Sequence, residues 1–220
     1  MNRKNFEIID LIRGDDIVIA FIDLSNFTKM IDLAVQVKSE KKIIRILNEF
    51  YKYSSSIIYK NNGIIDKFLG DGIMALYGSM FSNNYDLTPR EYLLRAVESC
   101  LDILTFIQTL GENMGMKLNI SSGVWSGEVF MGFSSHEEKT RDISVIGDPV
   151  NVASRLQKIA HDGEMIIPFI PDIDFKDNLD LIIRRYGMVK YYEKLEVRGK
   201  DKPVNVFRII GERAYARNHV

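Results

Sequence analysis

The chain has 220 residues, 46% of them hydrophobic, which suits one large domain or two small ones with ample material for a core. Its 29 basic and 30 acidic residues leave a net charge of −1, so no long-range field favours nucleic acid or an anionic membrane. A single cysteine, Cys100, excludes an intrachain disulfide, and apolar runs such as IVIAFI are too short to span a bilayer.

The N-terminal MNRKNFEIID is interrupted by charges and lacks a signal-peptide core, so the expectation is a reduced, soluble, cytoplasmic protein. Residues 16–23, rich in Ile and Val, read as a buried strand. Residues 26–35 and 40–60 read as helices; in the second, Ile43, Ile44, Ile46, Leu47, Phe50 and Tyr51 recur at helical spacing. Residues 64–69 and 72–77 flank Gly70-Asp71-Gly72 and read as a hairpin. Residues 89–110 form an amphipathic helix with Pro89 near its start, and Cys100 falls in its apolar pattern as a core thiol.

Residues 116–132 read as two strands around Ser126-Gly127. A strand at 142–146 follows, then Gly147-Asp148-Pro149 and a helix to about residue 160. Residues 164–168 form a short strand. The segment DLTPRE and residues 169–182 read as surface loops. The closing YYEKLEVRGKDKPVNVFRII reads as a hairpin turning at Gly199–Lys202. No repeat, linker or low-complexity stretch divides residues 1–220, so a single domain is expected. The order of elements implies an α+β sandwich with helices on one face of the sheet.

Four residues carry the chemistry. Asp23 ends the strand DIVIAFID, and Asp71 sits at the turn of KFLGDGIMALYG. Read singly, the first is a helix N-cap and the second ordinary turn chemistry. Read together, two carboxylates at strand ends can hold two divalent ions, since phosphate-bound Mg²⁺ needs only one or two of them. Leu24-Ser25-Asn26-Phe27-Thr28 follows Asp23 directly, and amides that begin a helix can cradle a triphosphate. Asn151 and Arg155 lie one helical turn apart, on one face. As a solvated face they need no function; beside two metals they can orient a ribose and neutralise charge at an α-phosphate.

FIDLSNFT, KFLGDGIMALYG and VIGDPVNVASRL resemble the three signature segments of class III nucleotidyl cyclases, in the same order and spacing. The resemblance runs from about residue 15 to 210 and includes the final LEVRGKDKPVNVFRI hairpin. It implies a ferredoxin-like βαββαβ core, with helices packed on a mostly antiparallel sheet and a C-terminal hairpin. It also implies roles. Asp23, Asp71 and the Leu24 carbonyl match the ligands of two cations, Mg²⁺ or Mn²⁺. Asn151 and Arg155 match the transition-state pair. Lys67 matches the lysine that reads adenine, and Ser144 its partner, where many members have Asp and one bacterial subgroup has Thr or Ser. Ser25, Asn26, Phe27 and Thr28, with Arg198 or Lys200, match the phosphate contacts. Ser25-Asn26 departs from the Arg-Gly or Ser-Gly expected before Phe-Thr.

Family members carrying the whole set work as head-to-tail homodimers with two shared sites, which is the partner expected here. The resemblance implies conversion of a nucleoside triphosphate to its 3′,5′-cyclic monophosphate and pyrophosphate. Lys67 with Ser144 favours ATP. The short chain, without a sensor or membrane segment, also resembles the pyrimidine cyclases of antiphage defence, which use UTP or CTP. A third reading is a catalytically silent cyclase-like binding module, against which the retained Asp23, Asp71, Asn151 and Arg155 argue. Outside the resemblance, Lys67 reads as an edge-strand charge and Ser144 as an ordinary strand residue.

Overall fold

A computed structural model of the chain describes residues 8–36, 38–81, 87–136 and 140–211; the side chains at 8–10, 33, 133–136 and 140–144 lie outside that description. From the N-terminus the elements are β1 (Ile8–Leu24), α1 (Phe27–Gln36), α2 (Glu40–Lys60), β2 (Gly63–Leu69) and β3 (Gly72–Tyr77). Then come α3 (Pro89–Asn113), β4 (Ile120–His136), β5 (Thr140–Ile146) and α4 (Asp148–Ile159). The chain continues through β6 (Met165–Pro168), α5 (Ile173–Arg185), β7 (Met188–Leu195) and β8 (Val204–Gly211).

Eight strands form one sheet in the order β2-β3-β1-β4-β6-β8-β7, with β5 paired to the far half of β4. Among the described residues only β4 and β6 pair in parallel, so the sheet is mostly antiparallel as expected. β1 lies near its centre, and its stretch Ile17–Ile22 is apolar because both faces are covered there. Val18, Ala20 and Ile22 point into the main core, built with α1, α2, α3 and α5. Ile17 and Ile19 point the other way, into a smaller cluster that includes Ala153 of α4. The helices therefore do not share one face: α4 packs alone on the second. Trp125 is half-buried there, between the two clusters of the α4 side.

Glycine makes that packing possible. A Cβ at Gly123 of β4 would lie 2.3 Å from the Ala153 carbonyl oxygen and 2.2 Å from the Gln157 nitrogen, so the backbone of α4 rests on the strand itself. At the start of α4, Pro149 crowds Gly127 in the same way, at 2.9 Å.

Other sequence expectations change as well. β4 is one strand rather than two around Ser126-Gly127. Its partner β1 absorbs the irregularity with a register shift between Gly14 and Ile17, where Asp16 takes φ +54°. Residues 169–182 are not a loop: they hold most of α5. Asp172 caps α5 by accepting from the Phe175 N–H at 2.8 Å, and Phe175, Leu179 and Ile183 face the core. In DLTPRE, Thr88 and Glu91 form a reciprocal capping box that starts α3 ahead of Pro89.

Candidate active site

The β1–β3 pairing places Asp23 opposite Gly72. Asp71 immediately precedes Gly72, and its carbonyl accepts from the Leu24 N–H at 3.1 Å. The two acids that lie 48 positions apart in the sequence thus meet at one end of the central strands. Room for the Asp23 carboxylate exists because residue 72 has no side chain: an added Cβ would lie 2.7 Å from Oδ1.

Burial pushes the Asp23 carboxyl up to about 6, the nearby Asp71 charge pushes in the same direction, and the Lys158 ammonium opposes both. Two neighbouring carboxylates opposed by one ammonium are short of positive charge. That donor set fits hard divalent cations, with the Leu24 backbone beside it. Among the described residues no group of three or more acidic, histidine or cysteine side chains converges. The cations would therefore take their remaining ligands from backbone, water and phosphate.

The turn that carries Asp71 is held from behind. Gly70 has φ +67°, a left-handed conformation that glycine adopts without strain. Its carbonyl accepts a hydrogen bond from the Tyr51 hydroxyl of α2, and the Tyr51 ring packs on Phe68 at 4.4 Å between centroids. Sequence reasoning saw Tyr51 only as a core position; its polar end had no local signal.

Ser25 and Asn26 occupy the tight turn between β1 and α1. The Ser25 N–H is donated to the Asn119 carbonyl at 2.9 Å, which removes it from any phosphate cradle. Asn26 has φ +61°, the conformation that Gly takes easily and Asn tolerates. Its side-chain amide meets both carboxylate oxygens of Asp162, each at 3.0 Å. The departure from the expected Gly is thus accommodated by shape, and it ties this loop to the turn after α4. The N–H groups of Phe27 and Thr28 belong to the first turn of α1, where amides have no partner within the helix.

A cleft of about 210 Å³ opens over Asp23 and Gly72, lined on the α4 side by Ser154, Gln157 and Lys158. Asn151 and Arg155 are not in that lining. The Arg155 guanidinium donates to the Arg198 carbonyl and packs on Gly199, in the β7–β8 loop. Asn151 is exposed, its amide only 3.5 Å from the Gly147 carbonyl. Lys200 pairs with Asp148 at the start of α4. Arg198 and Lys200 are thus joined to α4 at Arg155 and Asp148.

Lys67 lies on β2 and Ser144 on β5, and these two strands come into contact. Ser144 is opposite Gly132 in register; its side chain is outside the described residues. Lys67 is 3.0 Å from the Asp66 carboxylate.

Residues 10–207 match the family model described as the adenylate and guanylate cyclase catalytic domain. An adenylate cyclase of Anabaena cylindrica is 25% identical over 193 residues, which cover 87% of this chain and 36% of the relative. A terminal-differentiation-specific adenylate cyclase of Dictyostelium discoideum is 24% identical over 90% of this chain and 9% of its own length. The chain thus spans about a third or less of these two relatives. Among solved structures, the adenylyl cyclase CyaB from P. aeruginosa superposes with a TM-score of 0.72 at 21% identity, covering 93% of this chain and 98% of that one. The guanylyl cyclase Cya2 superposes at 0.68, also at 21% identity, over 93% and 95%. With the family model covering most of its length, the chain belongs to the class III adenylate and guanylate cyclase catalytic domains.

Proposed function

We propose that this chain converts a nucleoside triphosphate, ATP by preference, to its 3′,5′-cyclic monophosphate and pyrophosphate, at two sites shared between two copies. One observation carries the reading: Asp23 and Asp71 converge within a chain, while Asn151 and Arg155 do not line the Asp23 cleft and Arg155 is held on the Arg198 carbonyl of the β7–β8 loop. A complete set of groups needs the second copy, and twofold pairing supplies it twice. Two divalent cations bound by Asp23, Asp71 and the Leu24 carbonyl would lower the pKa of the ribose 3′-hydroxyl and neutralise the triphosphate.

The chain's own residues do the rest. The first amides of α1, at Phe27 and Thr28, bind phosphate oxygens. Arg155, with Nη1 anchored on the Arg198 carbonyl, offers its remaining N–H groups to the charge that grows on the α-phosphate. Asn151 orients the ribose. Lys67 donates to adenine N1, and Ser144 meets the exocyclic amino group. The relatives above and the solved adenylyl cyclase support ATP, whereas Cya2 keeps GTP as the comparison substrate.

The test is incubation of purified protein with each of the four ribonucleoside triphosphates and Mn²⁺, with products identified by mass spectrometry. Cyclic AMP and pyrophosphate are expected. Faster conversion of UTP or CTP would replace this reading with a pyrimidine cyclase. No product from any triphosphate, in a protein that still binds them, would make it a silent binding module.

A further inference from the structure

β2 follows regular pairing with β3 up to Ile65↔Ala75 and resumes at Lys67↔Met74. Asp66 is the extra residue between them, a bulge in the edge strand. In a regular strand two neighbours point to opposite faces. The bulge breaks that alternation, and the Lys67 ammonium comes to 3.0 Å from Asp66 Oδ2 although the residues are adjacent.

Their surroundings are opposite. The Asp66 side chain is 0% exposed and that of Lys67 42%. Neither Asp66 oxygen has a hydrogen-bond partner of good geometry among the described residues, so the ammonium is what offsets the buried charge. Burial raises the Asp66 carboxyl, and Lys67 opposes that rise. A carboxylate buried with so little support is costly, and an apolar side chain would fill the position without that cost. Its placement therefore calls for a role, and the residue it touches supplies one.

We propose that Asp66 is a positioning residue for Lys67: its buried carboxylate anchors the ammonium at the bulge and aims the remaining N–H groups at the base of the substrate. The inference rests on the reading of Lys67 as the base reader. An ammonium has three donors, and one directed at Asp66 leaves two for the pocket. Unanchored, a lysine on four rotatable bonds can turn away from a base that offers it a donor. Anchored, it stays where adenine N1 accepts from it and where the N1–H of guanine opposes it, which makes discrimination a property of geometry. Asp66 itself, with both oxygens covered, does not meet the nucleotide.

The test compares the full-length wild type, Asp66→Asn, Lys67→Ala and the double variant. For each, kcat and KM are measured with all four triphosphates, and thermal melts confirm folding. Asp66→Asn keeps the shape and removes the charge. Its preference for the best triphosphate over the others should fall about tenfold, through KM rather than kcat. In the Lys67→Ala background the same substitution should change the preference no further. An Asp66→Asn protein with wild-type preference, while Lys67→Ala loses it, would overturn the inference alone. So would an equal further loss in the Lys67→Ala background, which marks a structural role. Unchanged preference in Lys67→Ala itself would overturn the reading of Lys67 and the inference with it. Should Asp66→Asn not fold, Asp66→Ser makes the same comparison with a smaller side chain.

Discussion

Asp23 and Gly72 face each other across β1 and β3, and a methyl group on Gly72 would stand 2.7 Å from Asp23 Oδ1. The atom that must give way most is the end of a short side chain, while the Ile22 carbonyl oxygen, at 3.3 Å, has to yield by only a few tenths of an ångström. Gly72→Ala is therefore expected to fold and to swing the Asp23 carboxylate out of place. Activity should fall by about a hundredfold, since displacing a catalytic group by an ångström has that effect. Circular dichroism and kcat/KM check it; full activity would show that this carboxylate position does not matter.

The same acid makes stability depend on pH. The Asp23 carboxyl stands at about 6 in the fold against an ordinary value of 3.8. Between those values the native state binds the proton and the unfolded chain has released it. Without metal, stability should thus fall as pH rises from about 4 to 6 and remain lower above that. The Asp23→Asn variant should lack this slope and be more stable than the wild type at pH 8. Mg²⁺ or Mn²⁺ should raise the wild-type melting temperature at pH 8 and leave that of Asp23→Asn nearly unchanged. Parallel pH curves for the two proteins in EDTA would contradict this.

Tyr51 supports Asp71 through the Gly70 carbonyl. Tyr51→Phe keeps the ring contact with Phe68 and deletes the hydrogen bond. The expected cost in stability is about 1 kcal/mol. The apparent affinity for the divalent cation should drop more clearly, by about tenfold, because supporting groups around a metal site tune it to that extent. Metal titration of the initial rate separates the two; an unchanged metal midpoint would count against the support role. Asp71→Ala should abolish turnover with little loss of stability, because the residue lies in a turn.

Site sharing predicts complementation. Asp23→Ala and Arg155→Ala proteins should each be inactive as homodimers. Mixed in equal amounts, they should regain about a quarter of wild-type activity, since half the dimers are mixed and each has one intact site. Absence of recovered activity after subunit exchange, verified by native mass spectrometry, would mean that each site comes from one chain.

Much was legible in the sequence because it is encoded within short windows. The apolar spacing of residues 40–60 marks α2 at its observed bounds, and the glycines around Asp71 mark the β2–β3 turn. The motif residues Asp23, Asp71, Asn151 and Arg155 could be singled out from three short segments and their resemblance to the cyclase signatures. α5 was missed although Phe175, Leu179 and Ile183 have helical spacing, because Pro171 and the dispersed charges resemble a loop.

Other features belong to the tertiary structure. No window of sequence shows that Asp23 needs an empty Gly72 opposite it, or that Gly123 lets α4 lie on a second face of the sheet. Asn26 looked like a departure from pattern until its φ of +61° and its bond to Asp162 explained it. Asp66 was one acid among many until a bulge turned it inward beside Lys67. The reason is physical. Periodicity and turn chemistry act between neighbours in the chain. Burial of a charge and the meeting of two acids are set by strand register and close approach, which join residues far apart.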